Sequence, residues 1–123
     1  MKPNLDDSQP IFQQIADSIK NEIVDGHLNE GDQIPSTTEL SQFYQINRAT
    51  AQKGLNVLVD AGLVHKKRGI GMFVQKGAKK MLLVEREKGF YKQFVLPLLN
   101  EAKRIQLPED AVIQMIKESK QND

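Results

Sequence analysis

Ser36 to Val74 reads STTELSQFYQINRATAQKGLNVLVDAGLVHKKRGIGMFV. The stretch opens on Ser-x-x-Glu, Ser36 and Glu39, directly after Pro35. In that spacing the hydroxyl accepts from a first-turn N–H and the carboxylate reaches back to the cap's own N–H. Leu40 and Phe43 form a short apolar stripe, with Tyr44 beside it, so a helix ends near Tyr44. Asn47 provides a second cap three residues later, with Ile46 as its hydrophobic staple. A second helix is expected from about Arg48 to Ala61. Ala51, Leu55, Leu58 and Val59 recur on one side and face a core. Arg48, Ala49, Gln52, Lys53 and Asn56 fall on the other. That outer side carries two cations, two amides and no acid. Gly62 supplies the left-handed stop.

A hairpin follows. Leu63 to Arg68 is strand-like, Gly69-Ile70-Gly71 is the turn, and Met72-Phe73-Val74 returns. Glycines at both ends of the connection permit positive φ. Lys66, Lys67 and Arg68 place three charges beside the tip, suited to phosphates or a minor groove. Two helices joined by a short turn, then a basic hairpin, define a winged helix-turn-helix whose second helix reads DNA.

Upstream, Ile11, Ile15, Ile19 and Ile23 repeat every four residues, widened by Phe12 and Ala16. This is a core helix, with Pro10 in its first turn, Ser8 as a candidate cap and an end near Gly26. Asn29 to Asp32 reads as a turn. Gln33-Ile34 is a candidate brief strand joining the hairpin as a third.

Downstream of Gly77-Ala78, Leu83, Phe90, Phe94, Leu98, Ala102 and Ile105 lie three, four or seven residues apart. They predict a helical span over about 79–105, with Gly89 and Pro97 as points of kinking or interruption. Pro108 opens a last helix, with Glu109 and Asp110 in its first turn and Ala111, Val112, Met115 and Ile116 on its apolar side. It should fade near Ser119. Two such helices carry more apolar face than they can bury against each other. A homodimer interface is expected, built on Leu83, Phe90, Phe94, Leu98, Ala102, Ile105, Val112, Met115 and Ile116.

The predicted architecture is thus mainly α with a small β-hairpin. A winged helix-turn-helix domain over 1–76 is followed by a two-helix dimerisation appendage over 77–123.

Charge follows the same division. The 123 residues carry a net charge of only +1. Residues 1–35 hold two cations against seven acids, and residues 36–76 hold six against two. Positive potential therefore collects on the segment that would meet a duplex. The absence of cysteine excludes disulfides and thiolate metal sites. His27 and His65 lie far apart in sequence, and no metal or cofactor is expected. No nucleophile, carboxylate pair, phosphate loop or HExxH accompanies His65, so no catalysis is expected. No signal peptide is read at the N-terminus. The longest apolar run, Phe94 to Leu99 counting Pro97, is six residues, against about 20 for a membrane span. A soluble, cytoplasmic protein without a membrane partner is expected. The rival reading is a winged-helix module that binds protein or RNA. The discriminating feature is the outer face of 48–56, where apolar or acidic side chains would favour a protein partner; this face is basic and amide-rich.

In this order and spacing, certain segments resemble the GntR family of bacterial transcriptional regulators. They are Pro10 to Ala16, Gly31 to Ser36, Glu39-Leu40, Asn47 to Thr50, Leu55 and Leu58, Ala61 to Val64, and Arg68 to Val74. The short helical tail resembles the YtrA-type branch, which dimerises through a helical pair. The resemblance implies a homodimer, expected to act as a repressor on a palindromic double-stranded DNA operator. It implies contacts from Ser36, Asn47, Arg48, Ala49, Thr50, Gln52, Arg68 and Gly69. Thr37, Thr38, Lys53, Lys66 and Lys67 complete the expected DNA-binding set. Two positions depart from the family pattern. Thr37-Thr38 replaces a common Glu-Arg, which leaves a single hydroxyl at Thr38. Gln52 replaces a common Arg. Gln52 either matches adenine or binds a phosphate or water. No effector is assigned.

Overall fold

The computed structural model describes residues 4–121, with side chains to 119. In chain order it contains α1 (Ile11–Val24), α2 (Thr37–Tyr44), α3 (Arg48–Asp60), β1 (Val64–Lys67) and β2 (Gly71–Val74). There follow α4 (Ala78–Phe90), a π-helical segment (Tyr91–Val95), α5 (Leu96–Arg104) and α6 (Glu109–Gln121). This is the expected mainly helical architecture with one antiparallel hairpin. The chain forms two compact units, Met1–Val84 and Glu85–Asp123. They divide within α4, beyond the Gly77 boundary read from composition, because Ala78 and Leu82 are buried in the core of the first unit.

In that unit α1 packs on α3. Ile15, Ala16, Ile19 and Ile23 meet Ala51, Leu55 and Leu58 in one buried cluster. Gly54 makes the close approach possible. A Cβ there would stand 3.0 Å from the Phe12 carbonyl oxygen and 3.2 Å from Ile15 Cγ2. The apolar stripe of α1 begins one turn later than its spacing suggested, since Ile11 is exposed. Pro10 is the cap residue rather than part of the first turn. It has no side-chain cap bond, and the Ser8 hydroxyl bonds Asp6 instead. Buried Gln14 ties the preceding segment down. Its Nε2 donates to the carbonyls of Asp6 and Gln9, both at 2.7 Å, and its Oε1 accepts from the Asp6 N–H at 3.0 Å.

The capping box of α2 forms as expected, with the Ser36 hydroxyl accepting from the Glu39 N–H and Glu39 accepting from the Ser36 N–H. The α2 stripe is corrected at one position. Leu40 and Tyr44 are buried, whereas Phe43 is 50% exposed and lies edge-on to Tyr44 with ring centroids 4.9 Å apart. Burial of Tyr44 is tolerated because its hydroxyl donates to Ser18 Oγ on α1 at 3.3 Å. The turn into α3 runs through Gln45 in the left-handed region (φ 55°), and Asn47 caps α3 by accepting from the Thr50 N–H. Val59, expected on the core side, is exposed. Gly62 ends the helix at φ 74°.

The hairpin pairs Val64 with Val74, His65 with Phe73, Lys66 with Met72 and Lys67 with Gly71. Residues 31–34 run along the free edge of β2, through Ile34 N–H to Met72 O and Val74 N–H to Asp32 O, both 2.9 Å. They form a single bridge, Gln33 to Phe73, rather than a third strand.

In the second unit Pro97 does not break the helical span. It lacks an N–H, and its ring would crowd the carbonyl four residues back. The backbone instead widens over Tyr91–Val95, so that the Leu96 N–H reaches the Tyr91 carbonyl. Gln106, at φ 61°, and the Leu107 N–H bonded to the Ala102 carbonyl at 2.8 Å close α5. The last helix extends past the expected end at Ser119, to Gln121. Among the described residues no helix is long and apolar enough to cross a membrane.

Candidate nucleic-acid interface

The start of α2, the outer side of α3 and the inner face of the hairpin surround a groove of about 210 Å³. It brings together four of the expected residues, Ser36, Thr37, Gln52 and Lys66. The others lie outside it. Arg48, Ala49 and Lys53 are exposed on α3, and Lys67, Arg68 and Gly69 are exposed at the hairpin tip. Thr38 and Asn47 are exposed at the helix starts, and Thr50 is half-buried.

Local chemistry assigns several of these side chains a structural task as well. The oxygens of Ser36 and Asn47 accept the cap bonds of α2 and α3. Lys53 turns toward α1, with its Nζ 4.1 Å from the Phe12 ring centroid. Lys67 lies over Phe73 at 4.4 Å. Arg48, Lys66 and Arg68 make no ion pair among the described residues. An exposed cation without a carboxylate neighbour keeps its field for an approaching polyanion.

Gln52 is engaged at both ends. The Thr37 hydroxyl donates to its Oε1 at 2.6 Å, and its Nε2 donates to Asn56 Oδ1 at 2.9 Å. Neither alternative read from the sequence, adenine on the one hand or a phosphate or water on the other, anticipated a partner within the chain. Thr37 and Gln52 are fifteen residues apart, and only the helix-turn-helix geometry joins them.

Gln33 was also missed. Its Nε2 donates to the Ile70 carbonyl at 3.1 Å and its side chain lies against Gly71, so it props the hairpin tip. Gly71 has φ 148°, and a Cβ there would collide with the Gln33 amide. The glycine pair flanking Ile70 was the visible signal, but its partner was not.

Seven of the nine expected dimerisation residues are exposed: Leu83 in the first unit, and Phe90, Phe94, Leu98, Ile105, Met115 and Ile116 in the second. Ala102 and Val112 are each 8% exposed. They are buried within the protomer and are not available to a partner. Phe90 and Phe94, both exposed, lie with their rings tilted at 44° and centroids 5.5 Å apart. Among the described residues there is no cluster of three or more His, Cys, Asp or Glu able to hold a metal.

Residues 11–74 match the family model described as bacterial regulatory proteins, gntR family. The repressor NagR of Bacillus subtilis is 36% identical over 67 residues, 54% of this chain and 28% of its own length. The chain thus spans about a third or less of NagR. The uncharacterised regulator YhcF of Bacillus subtilis is 35% identical over 92 residues, 70% of this chain and 76% of its own length. A GntR family transcriptional regulator from Listeria monocytogenes superposes with TM-score 0.71 at 27% identity, over 93% of this chain and 98% of its own. YtrA from Sulfolobus acidocaldarius, a GntR-family transcription factor, covers 99% of this chain and 97% of its own, with TM-score 0.55 and 26% identity. The DNA-binding domain of AraR, solved in complex with operator ORX1, covers 60% of this chain and 89% of its own, with TM-score 0.53 and 30% identity.

Proposed function

The chain belongs to the GntR family of bacterial regulatory proteins, and from that premise we propose that it is a transcriptional repressor that binds a palindromic DNA operator as a homodimer. One observation carries this reading. The exposed side of α3 is free of acids over residues 48–56, and it stands next to a hairpin whose Lys66 and Arg68 have no ion-pair partner among the described residues. Such a surface neutralises phosphates and gains the release of their condensed counterions.

In this reading the first turns of α3 enter the major groove, with Arg48, Ala49 and Thr50 nearest the base edges. Ser36, Thr38 and Asn47 hold the duplex backbone, and Lys66, Lys67, Arg68 and Gly69 follow it on the flank. Thr37 and Gln52 line the groove between. Lys53 contributes through its charge, from the α1 side. The AraR structure supports the reading, since a domain of this fold at 30% identity was solved on operator DNA. A protein partner would be favoured by an apolar or acidic outer face on α3, and this face is basic and amide-rich.

The homodimer is proposed from the unburied residues of the second unit, with Phe90, Phe94, Leu98, Ile105, Met115 and Ile116 as its interface, together with Leu83. Two copies related by a two-fold axis would match two inverted half-sites. Occupancy of the operator would exclude polymerase sterically. The test is selection of bound sites from random duplex DNA. Two inverted half-sites at a fixed spacing are expected. Enrichment of a single unsymmetrical site, or of no duplex, would contradict the reading.

A further inference from the structure

The hydrogen-bond chain from Thr37 through Gln52 to Asn56 crosses from the first residue of α2 to the third turn of α3. Gln52 and Asn56 are four residues apart on one helix face, the spacing at which side chains meet. An amide reads adenine by using its oxygen and its nitrogen together, toward N6 and N7. Gln52 already gives one acceptor site of its oxygen to Thr37 and one Nε2 hydrogen to Asn56, so the chain itself holds its amide in place. Asn56 is exposed, and its oxygen is shared with Gln52, while its two Nδ2 hydrogens have no hydrogen-bond partner among the described residues.

We propose that Gln52 is a positioning residue and that Asn56 is the specificity-determining amide of this face. Gln52 holds the Asn56 amide with its donors outward. They suit a base-edge acceptor such as guanine O6 or N7, or thymine O4. The two-point match to adenine is disfavoured while Gln52 occupies the Asn56 oxygen. Thr37 sets the geometry from the other helix, so a residue outside α3 influences which base α3 accepts. The inference rests on the proposed binding of duplex DNA.

The experiment repeats the random-duplex selection with the full chain and with Asn56→Ala, Gln52→Ala, Thr37→Val and Thr37→Ser. Asn56→Ala should flatten one column of the selected motif, which identifies the base it reads. Gln52→Ala should change that same column, enriching adenine by roughly fivefold or more as the Asn56 oxygen is released. Thr37→Val should move the column in the same direction by less, and Thr37→Ser, which keeps the hydroxyl, should restore the starting preference. The inference is overturned if Gln52→Ala flattens a different column from Asn56→Ala. It is equally overturned if Asn56→Ala leaves the motif intact, or if adenine is preferred at that column from the outset. A starting chain that enriches no duplex would defeat the DNA reading itself and this inference with it. A clear starting motif with any of these three failures would defeat the inference alone.

Discussion

Gly54 on α3 meets the Phe12 carbonyl on α1 so closely that a Cβ would stand 3.0 Å from that oxygen. The two helices that carry most of the core therefore touch backbone to backbone at this point. Ordinarily Ala in place of Gly favours a helix by about 1 kcal/mol. Here the added methyl meets a carbonyl and the buried Ile15 side chain, neither of which is the free end of a flexible group. Overpacking of this kind costs about 1–3 kcal/mol, so Gly54→Ala should lower stability by about 1 kcal/mol net. Denaturant unfolding measures it, and a stabilised variant would show that α1 and α3 can separate without loss.

The α2 stripe predicts an unequal pair. Leu40 is fully buried, so Leu40→Ala should cost about 2–5 kcal/mol. Half-exposed Phe43 loses far less apolar burial, and Phe43→Ala should cost about 1 kcal/mol. Equal losses in thermal or denaturant unfolding would mean that Phe43 packs more deeply than described.

At the hairpin tip, Gly71→Ala introduces both an unfavourable φ and a clash with Gln33. Backbone strain of this kind costs about 1–3 kcal/mol. The expected result is faster amide exchange at Ile70, whose N–H bonds the Lys67 carbonyl at 2.9 Å. In the proposed reading this segment follows the duplex backbone, so duplex affinity should fall alike for all sequences. Unchanged exchange at Ile70 would contradict the role given to Gln33 and Gly71.

Phe94 is 56% exposed in the protomer. Phe94→Asp should give folded monomers with unchanged helix content that bind a full operator weakly. Sedimentation of the variant as an intact dimer would remove this face from the proposed interface.

Much of this arrangement was legible in the sequence because its signals are local. The capping box of Ser36 and Glu39, the Asn47 cap, the stop at Gly62 and the glycines around Ile70 each act within a few residues. The misreadings came from tertiary packing. Phe43 and Tyr44 are both compatible with the stripe from Leu40, and Ser18 on another helix decides between them by accepting the Tyr44 hydroxyl. The contact of Lys53 with the Phe12 ring on α1 is likewise set by the fold, since the two residues are far apart in sequence. Ala102 and Val112 follow the same apolar spacing as their exposed neighbours, and only the folded helices separate the buried from the free. Gln52 is the sharpest case, since its partner Thr37 precedes it by a whole helix and a turn.

The most direct test of the central claim, that the face of α3 opening at Arg48 lies in a duplex groove, is an affinity titration of the selected operator across a range of salt with the starting chain and Arg48→Ala. The starting chain should bind the operator well above a scrambled duplex and weaken steeply as salt rises. Arg48→Ala should lose roughly 1–3 kcal/mol on the operator and less on the scrambled duplex. Equal affinity of both chains for both duplexes, or binding indifferent to salt, would contradict it.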